Sequence, residues 1–262
     1  MTTSASTQTL LEAATEVARL AGDVALGYFR TALAVERKTD GSPVTAADRA
    51  AERTAREWIE RRFPGDGILG EEYGAARPGA RRRWLLDPID GTLSFVRGVP
   101  LWGTMVAAVE GEDVLAGAVY CAAAGELVAA APGAGCWWNG RRAAVSPVAA
   151  LDAATVLTSD DRFARHPERG RRWAALARAA GLSRTWGDCY GYLLVATGRA
   201  EVMADEALSP WDAAALKPIV EEAGGVFTDW AGVATAFGGG VIATNAALST
   251  AVRSALVAPR EE

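Results

Sequence analysis

The sequence contains very little histidine, and this shortage excludes several classes of chemistry. His166 is the only histidine among 262 residues, and it lies in a polar Arg165-His166-Pro167 turn. An enzyme with a histidine nucleophile, a Ser-His-Asp hydrolase and a histidine-rich metal centre would each need a histidine in a more structured setting. The chemistry of this chain must therefore rest on other side chains.

Cysteines and long apolar runs are also scarce. The three cysteines, Cys121, Cys136 and Cys189, are odd in number and none has CxxC spacing, which predicts reduced thiols and a cytoplasmic protein. No stretch approaches the roughly 18 consecutive apolar residues of a transmembrane helix, so we expect no membrane partner.

Positive charge is in deficit, with a net charge of −5. An acidic chain without a basic patch is not expected to bind nucleic acid or an anionic membrane surface. A small anionic substrate remains compatible with this charge, provided that bound cations reverse the local field.

The order of the patterns predicts an α+β half followed by an α/β half. Helical periodicity over residues 9–30 and 46–63 precedes short apolar strands, among them a hairpin at Asn139-Gly140. After Ser146-Pro147, strands and helices alternate. We place a soft boundary there, so that residues 1–146 carry most of the candidate metal ligands, and residues 147–262 carry Asp212 and the substrate-specificity residues.

The most informative segment is Asp87-Pro88-Ile89-Asp90-Gly91-Thr92, which follows an apolar strand. Two carboxylates three residues apart on one turn repel each other unless a cation neutralises them or one is protonated. Hard divalent cations prefer such oxygen ligands, backbone carbonyls included. A bare pair of this kind is also compatible with an acidic surface turn.

Four further acidic residues are candidates, and two of them, Asp212 and Asp48, have a structural explanation as well. Glu71 and Glu72 follow a short apolar strand, where ligand sites of α/β folds gather. Asp212 lies in the first turn of a helix predicted over residues 209–223, where an acidic residue complements the helix dipole. Asp48 follows Thr45 at the start of the second helix, as in an ordinary helix cap.

Taken together and in this order, these motifs resemble the inositol monophosphatase-like family of Mg²⁺-dependent phosphatases, over nearly the whole chain. The resemblance implies a layered αβαβα sandwich of the sugar-phosphatase type, a homodimer, and two to three Mg²⁺ ions per active site, with Mn²⁺ expected to substitute.

Site roles follow from the resemblance, residue by residue. It implies that the metal ligands are Glu71, Asp87, Asp90, Asp212 and the carbonyl of Ile89. Thr92, with Asp48 and Glu71, is expected to orient and deprotonate the attacking water, and Lys38 matches a position near the metals. The amides of Gly91 and Thr92 are expected to bind phosphate at a helix N-terminus. The implied mechanism is direct in-line attack by metal-activated water, without a phosphoenzyme.

The substrate must be set by the other end of the pocket. Asp188 and Glu206 are expected to lie opposite the phosphate and to favour a cationic tail or the hydroxyls of a polyol, although both could be plain loop carboxylates. Their surroundings look most like the histidinol-phosphatase branch, which predicts hydrolysis of histidinol phosphate to histidinol and phosphate. Inositol 1-phosphate is the alternative substrate, and a non-catalytic relative that senses metal or phosphate is a more distant one. Ser94 stands where many relatives have asparagine, outside the expected ligand set.

Overall fold

The computed structural model describes residues 6–39 and 41–257. The outer ends of both predicted halves, residues 1–5 and 258–262, and the single residue 40 lie outside the described part. None of the helices in the described ranges is both long and apolar enough to cross a membrane.

Helices form where the sequence supplies a cap and an apolar stripe. Ser6 caps the first helix by accepting a hydrogen bond from the Thr9 N–H, so the helix begins slightly before the predicted position. The α-helices are α1 (Thr7–Tyr28), α2 (Ala46–Arg62), α3 (Thr92–Val96), α4 (Pro167–Ala179), α5 (Asp188–Ala196), α6 (Pro210–Ala213), α7 (Leu216–Glu222) and α8 (Ser249–Leu256).

The strands form two main sheets and one small pair. In chain order they are β1 (Glu36–Arg37), β2 (Pro43–Val44), β3 (Gly67–Gly70), β4 (Gly74–Ala76), β5 (Arg82–Asp90), β6 (Gly103–Glu110), β7 (Asp113–Cys121), β8 (Glu126–Ala131), β9 (Gly135–Trp138), β10 (Arg141–Arg142), β11 (Thr155–Leu157), β12 (Leu182–Arg184), β13 (Val202–Asp205), β14 (Val226–Thr228) and β15 (Val241–Thr244). The first sheet has the order β10-β9-β8-β7-β6-β5-β3-β4 and is antiparallel except for the pair β3–β5. The second sheet has the order β12-β11-β13-β15-β14 and is mixed.

Helices cover both faces of each main sheet, which confirms the predicted αβαβα sandwich. Helices α1 and α2 pack on the outer face of the first sheet, and α4 and α8 pack on the outer face of the second. Helices α5, α6 and α7 lie between the two sheets, in a core that draws residues from both halves of the chain.

The helix expected over residues 209–223 is two helices, α6 and α7. Pro218 has no N–H, so it cannot donate the hydrogen bond that a continuous helix would direct to the Ala214 carbonyl. The break turns α6 towards the end of β5, where the candidate site lies.

Gly117 on β7 gives a test of how closely the middle helical layer packs on the first sheet. A Cβ at this position would lie 2.4 Å from the Ala215 carbonyl oxygen, which is backbone and cannot rotate away. We expect Gly117→Ala to lower the free energy of unfolding by about 1–3 kcal/mol in urea denaturation, because over-packing forces a backbone shift. Gly65→Ala is the control, since its Cβ would meet open space. Equal stability of the two variants would contradict this account of the packing.

Candidate metal centre and active site

The turn that ends β5 brings Asp87 and Asp90 to one place. The pairing of β5 with β6 is irregular between these two residues, and the irregularity lets side chains three apart reach the same side. Gly91 then turns the chain with φ +81°, and a Cβ there would lie 2.9 Å from the Leu101 carbonyl oxygen. Both the conformation and the close approach require glycine.

Asp212 joins the pair from α6 in the middle layer. Its Oδ2 accepts the Ser209 N–H at 2.8 Å in a capping box, so the structural explanation for this residue holds. It is also part of a cluster, because Asp87, Asp90 and Asp212 each offer a carboxylate oxygen, and these atoms lie within 4.8 Å of one another. The cap and the cluster therefore use the same side chain.

Glu71 lies next to this cluster, at the end of β3. It lines the same cleft as the three aspartates, and its charge and hydrogen bond help to raise the pKa of Asp87. Lys38 lies between the two neighbouring glutamates, with its Nζ 2.7 Å from Glu71 Oε1 and 2.6 Å from Glu72 Oε1. Burial alone would lower the pKa of Lys38, but these two hydrogen bonds outweigh it and raise the pKa above its usual value.

Asp48 and Thr92 do not meet directly. Asp48 is buried, and its Oδ2 accepts the Thr45 N–H and the Thr45 hydroxyl, each at 2.7 Å. Its Oδ1 has no hydrogen-bond partner among the described residues. The Thr92 hydroxyl instead donates to the Ile89 carbonyl at 2.9 Å. Asp48 lies close enough to Glu72 for its charge to help raise the pKa of that glutamate.

Burial and mutual repulsion raise the pKa values of the clustered carboxylates. Burial is the main cause for Asp87 and Asp90, whose pKa values lie well above the usual range, and neighbouring carboxylates add to the effect. Burial also raises the pKa of Asp212 to about 6 and that of Glu72 to about 7. The cluster is therefore poorly suited to hold several negative charges without a cation.

The donor set fits a hard divalent cation. All the side-chain donors of the cluster are carboxylate oxygens, which Mg²⁺ and Mn²⁺ prefer to nitrogen or sulfur ligands. Glu71, which lines the same cleft, could extend the set, and Asp48 Oδ1 is a buried oxygen with no hydrogen-bond partner among the described residues.

Two contiguous clefts open onto the cluster. The first, of about 330 Å³, contains Glu71, Asp87, Gly91 and Thr92. The second, of about 280 Å³, extends towards the second sheet and contains Arg165, Tyr192, Asp205 and Glu206. Four residues line both: Asp90, Ser159, Asp188 and Asp212. The cleft with the phosphate-site candidates is thus continuous with the one that holds the specificity candidates.

The two specificity candidates lie in this second cleft but differ in setting. Asp188 begins α5 with φ +52°, and burial, followed by the charges of Asp205 and Asp212, raises its pKa to about 7. Glu206 Oε1 accepts the Arg165 N–H at 3.0 Å, whereas its Oε2 is buried and has no hydrogen-bond partner in the described part of the chain.

Asp205 and Ser159 were not found by sequence reasoning. Asp205 accepts hydrogen bonds from the Ser159 N–H at 2.8 Å, the Ser159 hydroxyl at 3.0 Å, the Tyr192 hydroxyl at 3.0 Å and the Thr158 hydroxyl at 3.3 Å. The Ser159 hydroxyl in turn accepts the Asp188 N–H at 2.8 Å. The available signal was the place of Asp205 directly after the short apolar run Val202-Met203-Ala204, since an apolar run also precedes Asp87.

Comparison with known proteins agrees with this geometry. The sequence model of the Inositol monophosphatase family matches residues 6–260. The chain belongs to the inositol monophosphatase family. This confirms the resemblance inferred from the motifs.

Within the family, this chain is similar both to proteins named histidinol-phosphatase and to proteins named inositol monophosphatase. It is 46% identical to the histidinol-phosphatase of Chlorobaculum parvum, over 91% of this chain and 93% of that protein. It is 39% identical to the histidinol-phosphatase of Mycobacterium tuberculosis, over 86% of this chain and 88% of that protein. Among solved structures, an inositol monophosphatase from Zymomonas mobilis superposes with a TM-score of 0.86 at 33% identity, covering 97% of this chain and 99% of that one.

The raised pKa values of this family member predict an unusual pH dependence for the metal-free protein. Unfolded aspartates titrate near pH 4, whereas folded Asp212 and Asp188 have pKa values of about 6 and about 7. Between pH 4 and pH 7 these groups therefore bind more protons in the folded state than in the unfolded state. Their contribution to the free energy of unfolding must fall as the pH rises through this window.

Urea denaturation in EDTA at a series of pH values measures this effect. Asp188→Asn removes one such carboxylate while tolerating the positive φ, so the variant should gain stability relative to the wild type as the pH rises from 4 to 7. Saturating Mg²⁺ should stabilise the wild type more at pH 7 than at pH 5. A stability difference between variant and wild type that does not change with pH would contradict the assignment.

Proposed function

We propose that this protein is a Mg²⁺-dependent phosphomonoesterase that hydrolyses histidinol phosphate to histidinol and phosphate. One observation carries the proposal: a continuous cleft with three converging carboxylates at one end and further carboxylates at the other. Six acidic residues and one basic residue, Arg165, line its second part; the acidic ones are Asp90, Asp160, Asp188, Asp205, Glu206 and Asp212. Such a cleft favours cations at both ends.

We assign the metal ligands to Asp87, Asp90, Asp212, Glu71 and the Ile89 carbonyl, for two to three Mg²⁺ ions that Mn²⁺ can replace. When bound, these ions neutralise phosphate oxygens, activate water and stabilise the leaving oxygen. The spacing of the three aspartate oxygens and the burial of Asp87, which is 2% exposed, support this assignment.

Groups in and beside the first cleft would orient the reactants. The Thr92 hydroxyl and the Glu71 carboxylate, which line it, and the carboxylate of Asp48 would hold and deprotonate the attacking water. The Oδ1 of Asp48, which has no hydrogen-bond partner among the described residues, supports its part in this role. The amides of Gly91 and Thr92, at the start of α3, would bind the phosphate. Lys38 would fix Glu71 through its 2.7 Å hydrogen bond.

The reaction needs no covalent enzyme intermediate. Water would attack phosphorus in line with the leaving oxygen as the ester P–O bond breaks, and the proton of the water would pass to the Thr92, Glu71 and Asp48 group. The leaving oxygen would take a proton from solvent water to give the alcohol. Capture of a phosphoryl adduct on any carboxylate of the cluster would contradict this route.

In the second part of the cleft, Glu206 would bind the amine or imidazole of histidinol phosphate together with Asp188, which lines both parts. Glu206 Oε2 is buried and has no hydrogen-bond partner among the described residues, and a cation suits it because charge-assisted hydrogen bonds are about twice as strong as neutral ones. The names of the relatives from C. parvum and M. tuberculosis support this substrate.

Inositol 1-phosphate is the second candidate substrate, supported by the 33% identical inositol monophosphatase structure and a further one from Thermotoga maritima at 31% identity and TM-score 0.85, which covers 94% of this chain and 96% of that one. Its hydroxyls could donate to the same carboxylates.

We further propose a cytoplasmic homodimer. Free thiols at Cys121, Cys136 and Cys189 are compatible with a reducing compartment. Exposed apolar side chains beside the first cleft, Leu93 at 67% and Trp186 at 42% exposure, would be covered by a second copy.

A side-by-side comparison of kcat/KM for histidinol phosphate and inositol 1-phosphate, with Mg²⁺ and with EDTA, tests the proposed substrate. We expect histidinol phosphate to be preferred and EDTA to abolish both activities. A preference for inositol 1-phosphate would overturn the substrate but leave the chemistry intact, and activity in EDTA would overturn the metal dependence.

Asp90→Asn tests the ligand assignment. It keeps the size of the side chain but removes a charge from the centre, so we expect kcat to fall at least about a thousandfold. Far-UV circular dichroism should show a retained fold. Asp161→Asn, an exposed position outside both clefts, is the matched control. Near-normal turnover of Asp90→Asn would refute the assignment.

Glu206→Gln tests the specificity end. Loss of a charge-assisted hydrogen bond should raise the KM for histidinol phosphate about tenfold. The KM for p-nitrophenyl phosphate should change less than about twofold, because this substrate has no cationic tail. Asp160→Asn is the control, since it removes the same charge from the same cleft at a carboxylate already paired with Arg162. An equal rise in the KM for histidinol phosphate in the two variants would show that binding depends on the total negative charge of the cleft and not on a contact with Glu206.

A further inference from the structure

Helix α2 carries a second buried carboxylate, Glu52, one turn after Asp48. Its side chain is fully buried and lines neither of the two clefts. Asp48, Glu52 and Arg56 follow each other at intervals of four, so they lie on one face of the helix. A buried carboxylate is costly unless hydrogen bonds and a counter-charge compensate it.

The compensation of Glu52 comes from the turn that carries Glu71 and Glu72. Glu52 Oε2 accepts the Glu72 N–H at 2.7 Å, and Oε1 accepts the Tyr73 N–H at 3.2 Å. Arg56 Nε donates to the same Oε1 at 2.7 Å, and another nitrogen of Arg56 donates to the Gly74 carbonyl. The helix thus holds three consecutive residues of the turn by their backbone.

Gly70 permits this arrangement. A Cβ at Gly70 would lie 2.0 Å from Glu52 Oε1, so only glycine lets the end of β3 approach the carboxylate so closely. Gly70 directly precedes Glu71, the candidate ligand. The position of Glu71 is therefore fixed on one side by β3 and on the other by the turn that Glu52 holds.

The hydrogen bonds that hold the turn require a carboxylate at position 52. Both oxygens accept backbone N–H groups of the turn, Oε1 also pairs with the Arg56 guanidinium, and the side chain lines neither cleft, so the carboxylate is directed at the turn. Glutamine has a single acceptor oxygen and would direct an NH₂ group towards another donor. Asp48 is different, because its Oδ1 has no partner among the described residues.

We infer that Glu52 is a positioning residue for the metal centre: it holds the Glu71–Gly74 turn so that Glu71 reaches the cation. Glu52 itself does not touch the cation. This inference rests on the proposed function, because it presupposes that the cluster binds metal. Groups that orient a metal ligand from behind typically change metal affinity 10- to 100-fold when they are removed.

Calorimetric titration of Mn²⁺ into wild type, Glu52→Gln and Glu57→Gln tests the inference, together with the Mg²⁺ concentration that gives half-maximal activity. Glu57→Gln is the matched control, with the same change on an exposed position of the same helix. We expect Glu52→Gln to weaken Mn²⁺ binding at least about tenfold, with the KM for phosphate substrate at saturating Mg²⁺ changed less than about twofold. Unchanged Mn²⁺ affinity in a folded Glu52→Gln protein, with only a lower unfolding temperature, would overturn the inference.

A second variant covers the case in which Glu52→Gln does not fold. Arg56→Lys keeps the positive charge but loses the planar group that reaches both Glu52 and the Gly74 carbonyl. Mn²⁺ binding weakened several-fold in this variant supports the inference, and unchanged binding overturns it. If the wild type itself binds no Mn²⁺, the proposed function fails and the inference fails with it. Equal Mn²⁺ binding by the wild type and both variants is a different result, because it overturns the inference alone.

Discussion

Three carboxylates that repel one another are held together by backbone amides, and the rest of the site is arranged around them. The Ile89 N–H donates to Asp87 at 3.0 Å, the Cys189 N–H donates to Asp90, and the Ser209 N–H donates to Asp212 at 2.8 Å. Each amide fixes one oxygen of its carboxylate. These amides do not compensate the charges fully, because the pKa values of all three carboxylates remain raised, so protons reduce the repulsion in the metal-free protein and a cation would replace them.

This arrangement requires both halves of the chain. Asp87 and Asp90 come from the first sheet, while the amide that fixes Asp90 belongs to α5 and Asp212 belongs to α6. Both helices lie in the layer between the sheets, within a core that both halves form. A boundary near residue 147 therefore separates two sequence patterns, yet neither half contains the centre alone. The outer helix α2 adds a further constraint, because its buried face contacts the turn that carries Glu71.

Features that depend on local sequence could be predicted, and features that depend on tertiary contact could not. The cap at Thr45, the glycine after Asp90 and the apolar runs before Glu71 and Asp87 have local signatures, and these led to the family and the fold; β5 itself continues through Asp87 to Asp90. The amide of Cys189, the hydroxyl of Ser159 and the carboxylate of Glu52 act across about 20 to 99 residues of chain, through contacts that no local pattern encodes. The split of the predicted helix at residues 214–215 was foreseeable from Pro218, whereas β12, Leu182–Arg184, lacks apolar alternation and is defined by its pairing with β11.

Two neighbouring carboxylates of the second cleft differ in how completely their hydrogen-bonding capacity is satisfied, and this difference bears on specificity. Asp205 is buried and already accepts four hydrogen bonds, so its main effect is to hold Ser159 and, through it, the start of α5. Glu206 has a buried oxygen with no hydrogen-bond partner among the described residues, and a ligand that supplies a donor there removes a desolvation cost. A hydroxyl removes part of that cost, whereas an ammonium or imidazolium group also neutralises the surrounding negative charge. The same backbone would therefore bind a polyol phosphate such as inositol 1-phosphate weakly and a cationic ester such as histidinol phosphate strongly. The charge at position 206, rather than the shape of the fold, is the feature that should separate these two substrates.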